Sequence, residues 1–520
     1  MPTRRRHIAV FAPLLVLACR GPQPDPEPRP GPPPAPREDI VEVIHGQPIE
    51  DPYRWLEDDA DPRVQAWVEA QDDYARERLA ASPHVEGLRA ELRARWDVEA
   101  IVGPVHERRG RYFYARRHRG RDKPVYYVRE GQRGRERVLI DPAKLSRDGS
   151  VGVRSIHPSP DGRTLAYALR RNAADAATLH VMDVASGETR AAETIFGARF
   201  AMPQWAPDSR AFYYVDLPED PEIPPAELAG HATVRRHMLG EPSRYDEVLY
   251  GPTGDPRTIP MPQLALGDRY LLLHLFHGSA GTTSVYIRDL DDDRGFLPLV
   301  TGSSGTNYVF GHGEQLYLLT SEGAPHYRVL EVDLARERSR WTEVLAEAPM
   351  TLEQLAIMRG HFVIAYLDEV NPRVFVQRIR DGRRWELALP EHGSVLGIWT
   401  DPSASEALIG FGSLASSDAT IYRVPIPGPA AQQQRSLEPE AFWAPGPEAL
   451  DYAAELQLTQ RFARSADGTR APVFVLHRED VALDGSNPAI LYGYGGFGIS
   501  IKPGPNSLAQ LWAKRGGVWA

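Results

Sequence analysis

A chain of 520 residues has room for roughly three domains of ordinary size. With 42% hydrophobic and 25% charged residues, its composition is that of a globular protein. The net charge of −10 removes any electrostatic case for nucleic-acid binding, and the basic residues are nearly all arginine, lysine occurring only as Lys123, Lys144, Lys502 and Lys514.

The N-terminus reads as an address. Arg4, Arg5 and Arg6 precede an apolar run from Ile8 to Ala18, too short for a bilayer span, which needs about 20 residues. Ala18 then precedes Cys19, the only cysteine, so no intrachain disulfide can form. The pattern is that of a signal peptide over residues 1–18, and Val16-Leu17-Ala18-Cys19 resembles the bacterial lipoprotein box. Cleavage there would free the amine of Cys19 for acylation and leave its thiol to take a diacylglycerol. Several acyl chains anchor far more firmly than one. The alternative is a plain secretory signal with an incidental cysteine. Arg20 is not the aspartate that favours inner-membrane retention, so the expected location is the periplasmic face of the outer membrane, the periplasm being the alternative. Pro22 to Pro36 alternates proline with polar residues, and residues 19–37 read as a lipidated cysteine with an extended, solvated tether.

Asp61-Pro62 is a helix start, and Val64, Trp67, Val68, Gln71, Tyr74 and Leu79 follow at three- and four-residue spacing. Ser82-Pro83 repeats the signal before Leu88, Leu92 and Trp96, which predicts two amphipathic helices over 61–97. From about residue 100 a different phrase recurs, a Gly/Asp/Pro/Ser turn leading into a β-branched or aromatic run. It appears at Gly110, Pro160-Asp161-Gly162, Pro207-Asp208-Ser209, Gly267-Asp268, Gly311-His312-Gly313 and Arg359-Gly360, with a weaker seventh unit through Ala407 to Val424. Several strands per unit, recurring every roughly 45–60 residues, predict a seven-bladed β-propeller over 98–445. A large β-sandwich is the alternative. Beyond residue 450, Leu458 to Ala463 and Val473 to His477 flank a Ser465–Gly468 turn. A short strand at Pro488–Tyr492, a helix over Ser507–Arg515 with Gly516 as its stop, and a strand from Val518 complete the opening of an α/β sheet.

Three stretches resemble the prolyl oligopeptidase family of serine peptidases. They are His45-Gly46 with Asp51-Pro52-Tyr53-Arg54-Trp55-Leu56-Glu57-Asp58 and Trp67 to Gln71; the propeller; and Asp484 to Pro488 leading into Tyr492-Gly493-Tyr494-Gly495-Gly496-Phe497. The likeness runs from about Glu38 to Ala520. It implies a seven-bladed propeller inserted into an α/β-hydrolase domain, with 38–97 the N-terminal helical segment and 446–520 the start of that catalytic domain. It further implies cleavage after proline in short peptides, access being gated by the propeller.

The resemblance implies that Tyr494 donates its hydroxyl to the oxyanion of the tetrahedral intermediate, a role worth about 3 kcal/mol of barrier per donor. Spacing alone leaves open that Tyr494 is a core residue. Phe497 is similar to the phenylalanine that lines the family's substrate pocket, where an aromatic wall suits a proline ring; a core role is the alternative. Trp55, Leu56 and Glu57 read as packing between the N-terminal segment and the hydrolase domain. No Gly-x-Ser-x-Gly elbow occurs, and the family's serine, aspartate and histidine are expected beyond Ala520, so this chain alone is expected to be inactive, a C-terminally truncated form. Scattered histidines, among them His231 and His237, give no metal motif, and neither metal nor cofactor is expected. Expected partners are short proline-containing peptides and a membrane through the lipid anchor, with a monomeric chain. Two other readings stand: an oligopeptidase B-like enzyme cutting after Arg or Lys, and a non-catalytic, lipid-anchored peptide-binding propeller.

Overall fold

The computed structural model describes residues 31–278, 281–416, 418–446, 454–496 and 499–520. Cys19 and Phe497 lie outside the described residues. The chain divides into two compact units, 1–90 and 91–520.

In the first unit a hairpin pairs Val41–Ile44 with Gln47–Glu50. His45 and Gly46 turn it at φ 52° and 78°, the left-handed pair a two-residue hairpin needs. Arg54 holds Glu42 and Asp51 at 2.7 and 2.6 Å. Trp55 is buried, meets Trp67 edge-on at 6.2 Å between ring centroids, and donates its indole N–H to Pro36 O. Helix α1 spans Pro62–Ala80; Asp61 caps it by accepting from Arg63 N. Helix α2, Val85–Trp96, carries the division between the units.

The second unit contains seven sheets in succession, spanning residues 100–140, 151–183, 204–250, 258–300, 307–345, 351–387 and 394–443. They are the seven blades of a β-propeller. The recurring sequence phrase is the hairpin turn between the first and second strand of a blade. Gly162 (φ 68°) makes it in blade 2, and Ser209 (φ 62°) takes the same left-handed position in blade 3, its Oγ accepting from Asp161 N. The run after the turn is apolar throughout because both faces of a second strand are covered by neighbouring blades. Leu165–Ala168, Ala211–Val215 and Phe362–Tyr366 are buried at every residue. The first turns of six blades surround one end of the propeller axis, a cavity of about 700 Å³ lined by His106, His157, Trp205, Gln263, His312 and Asp401.

 

Blade 2 has three strands where most others have four, and the segment after it packs in place of the fourth, through bridges from Leu179 to Ile195 and Met182 to Thr189. That segment carries Glu193, which is tied to blade 3. His237 Nε2 lies 3.1 Å from Glu193 Oε2, and Nδ1 lies 2.9 Å from Asp246 Oδ1. Tyr214 donates its hydroxyl to the other Asp246 oxygen at 2.8 Å. Burial opposes a charged imidazolium here, but the hydrogen bonds and charges of Asp246 and Glu193 outweigh it and push His237 up to about 9.

Among the described residues no strand passes between the first and last blades. The ring closes through side chains: Ile101, Val105, Tyr112 and Tyr114 of blade 1 pack with Leu408 and Ile421 of blade 7. Tyr112 donates to Glu406 at 2.8 Å, Arg117 pairs with Asp418, and a Cβ on Gly103 would fall 2.2 Å from the Trp399 ring.

Beyond the propeller, Leu456–Arg464 and Arg470–Arg478 form a longer hairpin than the sequence pattern marks. The sheet continues to Val518–Trp519 and then Ala489–Ile490, the last two parallel, with helix α3 (Ser507–Lys514) as their crossover. This is the beginning of an α/β sheet, joined to the propeller within the same compact unit.

The His237 cluster predicts a pH dependence. A histidine raised above its unfolded value stabilises fully below about 6.5, and that stabilisation fades as pH rises through about 9. Thermal unfolding of the chain followed from pH 6 to 9.5 should show this loss, on the order of 3 kcal/mol, and His237→Gln should flatten the profile. An unchanged slope in the variant would contradict the assignment.

Candidate active site

Tyr494 stands four residues after the Ala489–Ile490 strand, on a Gly-Tyr-Gly-Gly segment. Backbone pairing fixes the base of this segment: Val518 N donates to Pro488 O, Ala520 N to Ile490 O, and Tyr492 N to Ala520 O, at 3.0, 2.9 and 2.8 Å. The Tyr492 ring leans on Trp519 at 6.0 Å between centroids.

The tyrosine side chain folds back over the glycines. A Cβ built at Gly496 would lie 2.9 Å from Tyr494 Oη and 3.0 Å from Cζ, so glycine at 496 leaves the space the hydroxyl occupies. Tyr494 is 51% exposed. It borders a cavity of about 450 Å³ shared with Ser394, Leu396, Phe474, Tyr492 and Trp519. Ser394 and Leu396 belong to the innermost strand of blade 7, so propeller and α/β sheet both contribute walls.

The segment after the tyrosine loop is strapped to the propeller. Lys502 pairs with Glu353, which sits at a bulge in the first strand of blade 6. Pro505 crosses Gly412 so closely that a Cβ there would meet its ring at 2.4 Å. Asn506 then caps α3, accepting from Leu508 N and Ala509 N at 3.0 Å each. One turn on, Gln510 is fully buried. Its amide donates to Leu414 O and Ser416 O of a blade 7 loop, at 3.1 and 2.5 Å, and its oxygen accepts from Arg95 at 2.7 Å. Leu414, Leu456, Leu476, Ala509 and Trp519 form the apolar seam beside it.

Of the residues singled out from sequence, the structure places Tyr494 on this cavity wall; Cys19 and Phe497 fall outside the described residues. Sequence reading missed Glu353, Gln510 and the role of Lys502. The scarcity of lysine was a usable signal for Lys502, one of four in the chain. Glu353 gave none, because a bulge that turns a side chain out of register is not visible in a strand pattern. The same applies to His237, whose partners are 44 and 9 residues away.

A seven-bladed propeller joined to an opening α/β sheet, with a glycine-bedded tyrosine between them, defines a class of propeller-containing α/β proteins. The family model described as the prolyl oligopeptidase N-terminal beta-propeller domain matches residues 32–431. The chain belongs to the prolyl oligopeptidase family. It is 27% identical over 484 residues to a prolyl endopeptidase of Elizabethkingia meningoseptica, covering 92% of this chain and 66% of that protein. A dipeptidyl aminopeptidase BI of Pseudoxanthomonas mexicana is 24% identical over 508 residues. The chain thus spans just under two thirds of the length of the prolyl endopeptidase it matches. Among solved structures, one from a study of two prolyl endopeptidases and their inter-domain dynamics superposes with a TM-score of 0.87 at 35% identity, covering 94% of this chain and 70% of that one. Prolyl oligopeptidase B from Galerina marginata, bound to a 35mer hydrolysis and macrocyclization substrate, shares the fold with a TM-score of 0.82 at 22% identity.

The bed under Tyr494 is testable by itself. Gly496→Ala should shift the tyrosine hydroxyl in a crystal structure of the variant while leaving unfolding stability within about 0.5 kcal/mol, since the site is a loop outside the core. An unmoved hydroxyl would contradict the described packing.

Proposed function

We propose that this chain is the propeller and oxyanion-side portion of a serine peptidase that cleaves short peptides after proline. The observation that carries the reading is the Tyr494 hydroxyl, held over Gly496 at the edge of a cavity with no hydrogen-bond partner among the described residues. A phenol in that state is free to donate to an oxygen that gains charge as a carbonyl becomes tetrahedral. The match to prolyl endopeptidases supports the choice of proline.

Acyl transfer also needs a nucleophile and its base. No Gly-x-Ser-x-Gly occurs in these 520 residues, and the family resemblance assigns serine, aspartate and histidine to positions C-terminal of the matched region. The residues here contribute the oxyanion donor, part of the pocket wall and the propeller. The propeller limits access: one end of its axis is ringed by first turns, and the inner strand of blade 7 runs from there to the Tyr494 cavity. Such a filter favours short or unstructured peptides.

A proline anilide and an arginine anilide, assayed on the protein as its source produces it, decide the specificity. Hydrolysis of the proline substrate is expected, and Tyr494→Phe should lower kcat by about 10²-fold with KM little changed. Preference for arginine would favour the oligopeptidase B-like alternative. Absence of hydrolysis together with failure to label with a fluorophosphonate would favour a non-catalytic propeller.

We also propose that Cys19 carries the lipid anchor, on the strength of the leader pattern before it. Cys19→Ala should move the protein from the membrane fraction to the soluble fraction, with loss of incorporated labelled palmitate. Unchanged membrane retention would contradict the anchor.

A further inference from the structure

One cavity is remote from Tyr494. It is a groove of about 830 Å³ on the outer part of blades 1 and 2. Five arginines line it, Arg111, Arg129, Arg135, Arg137 and Arg163, against three carboxylates. That local excess of cations stands out in a chain of net charge −10.

The carboxylates already have partners. Glu136 takes the Tyr114 hydroxyl at 2.5 Å and Arg116, from outside the groove, at 2.8 Å. Glu130 pairs with Arg111 at 2.8 Å. Asp183 accepts from the backbone N–H and hydroxyl of Ser186, at 2.8 and 3.0 Å. The cations are less well matched. Arg129 lies against three rings, its Cζ 4.7 Å from the centroid of Phe442 and 5.2 Å from that of Tyr114, and its buried Nε has no hydrogen-bond partner among the described residues. Rings held this close fix the guanidinium plane in advance of binding. The side chains of Arg135 and Arg163 make no ion pair or hydrogen bond with a described residue, and both are exposed at the rim.

We propose that this groove binds a phosphate-bearing ligand, Arg129 forming its floor and Arg135 and Arg163 closing on the anion from the rim. Guanidinium forks match phosphate oxygens in pairs, and several converging on one groove neutralise more than a single negative charge. The volume exceeds that of a lone ion and admits a phosphorylated small molecule or a phospholipid headgroup. Both sources share the same chemistry.

The test is calorimetric titration of the chain with inorganic pyrophosphate at low and moderate salt. Binding is expected, weakening as salt rises, and Arg163→Glu should weaken it about tenfold, as loss and reversal of one converging charge does. Arg163 is exposed, so this variant keeps its fold even if Arg129→Gln does not. Arg257→Glu, on blade 4's approach and away from the groove, should leave binding unchanged. Co-sedimentation with phosphatidylglycerol vesicles, compared with phosphatidylcholine vesicles, distinguishes the sources: retention that pyrophosphate competes away supports a headgroup, and pyrophosphate binding without retention supports a soluble phosphate. No pyrophosphate binding, or equal weakening by Arg163→Glu and Arg257→Glu, overturns the proposal.

Discussion

A ring of seven sheets must close on itself, and among the described residues no strand crosses the joint. Closure depends on apolar side chains of blades 1 and 7 and on a few polar contacts across them, Tyr112 to Glu406 and Arg117 to Asp418 among them. Close packing allows little slack: Gly103 meets the Trp399 ring with no room for a Cβ. The same stretch of blade 7 that takes Arg117 also takes Gln510 of α3, so the joint of the ring and the seat of the α/β sheet are one region.

That coincidence organises the candidate site. From the seat, the chain runs back through Pro505 and Lys502 to the Tyr494 loop, each step touching blade 6 or blade 7. The tyrosine is therefore positioned from two sides, by the parallel strand pair beneath it and by the strap across the propeller. For the proposed oxyanion role the hydroxyl has to be placed before charge develops, and the loop that carries it is held from both sides while the hydroxyl itself makes no hydrogen bond among the described residues.

Much of the fold was legible because it repeats. The turn-then-apolar phrase marks the first hairpin of each blade, and a second strand covered on both faces has to be apolar at every position. What the sequence concealed is what depends on distant partners. Blade 2's missing fourth strand is replaced by a segment whose anchor, Glu193, meets His237 only after folding. Glu353 reaches Lys502 because a bulge shifts its strand, and Gln510 looks like an ordinary helix surface residue until the blade 7 loop covers it. The motif singled out Tyr494, which the structure puts on a cavity wall; the part Gly496 plays in making room for its hydroxyl shows only in the folded chain.

The central claim is that Tyr494 faces an oxygen that becomes negatively charged during peptide cleavage. A crystal structure of the native protein with a peptidyl-proline aldehyde tests it most directly. The account predicts a hemiacetal whose oxygen accepts from the Tyr494 hydroxyl at about 2.7–3.1 Å. An adduct with that oxygen held elsewhere and the tyrosine turned away, or an aldehyde that forms no adduct, would contradict it.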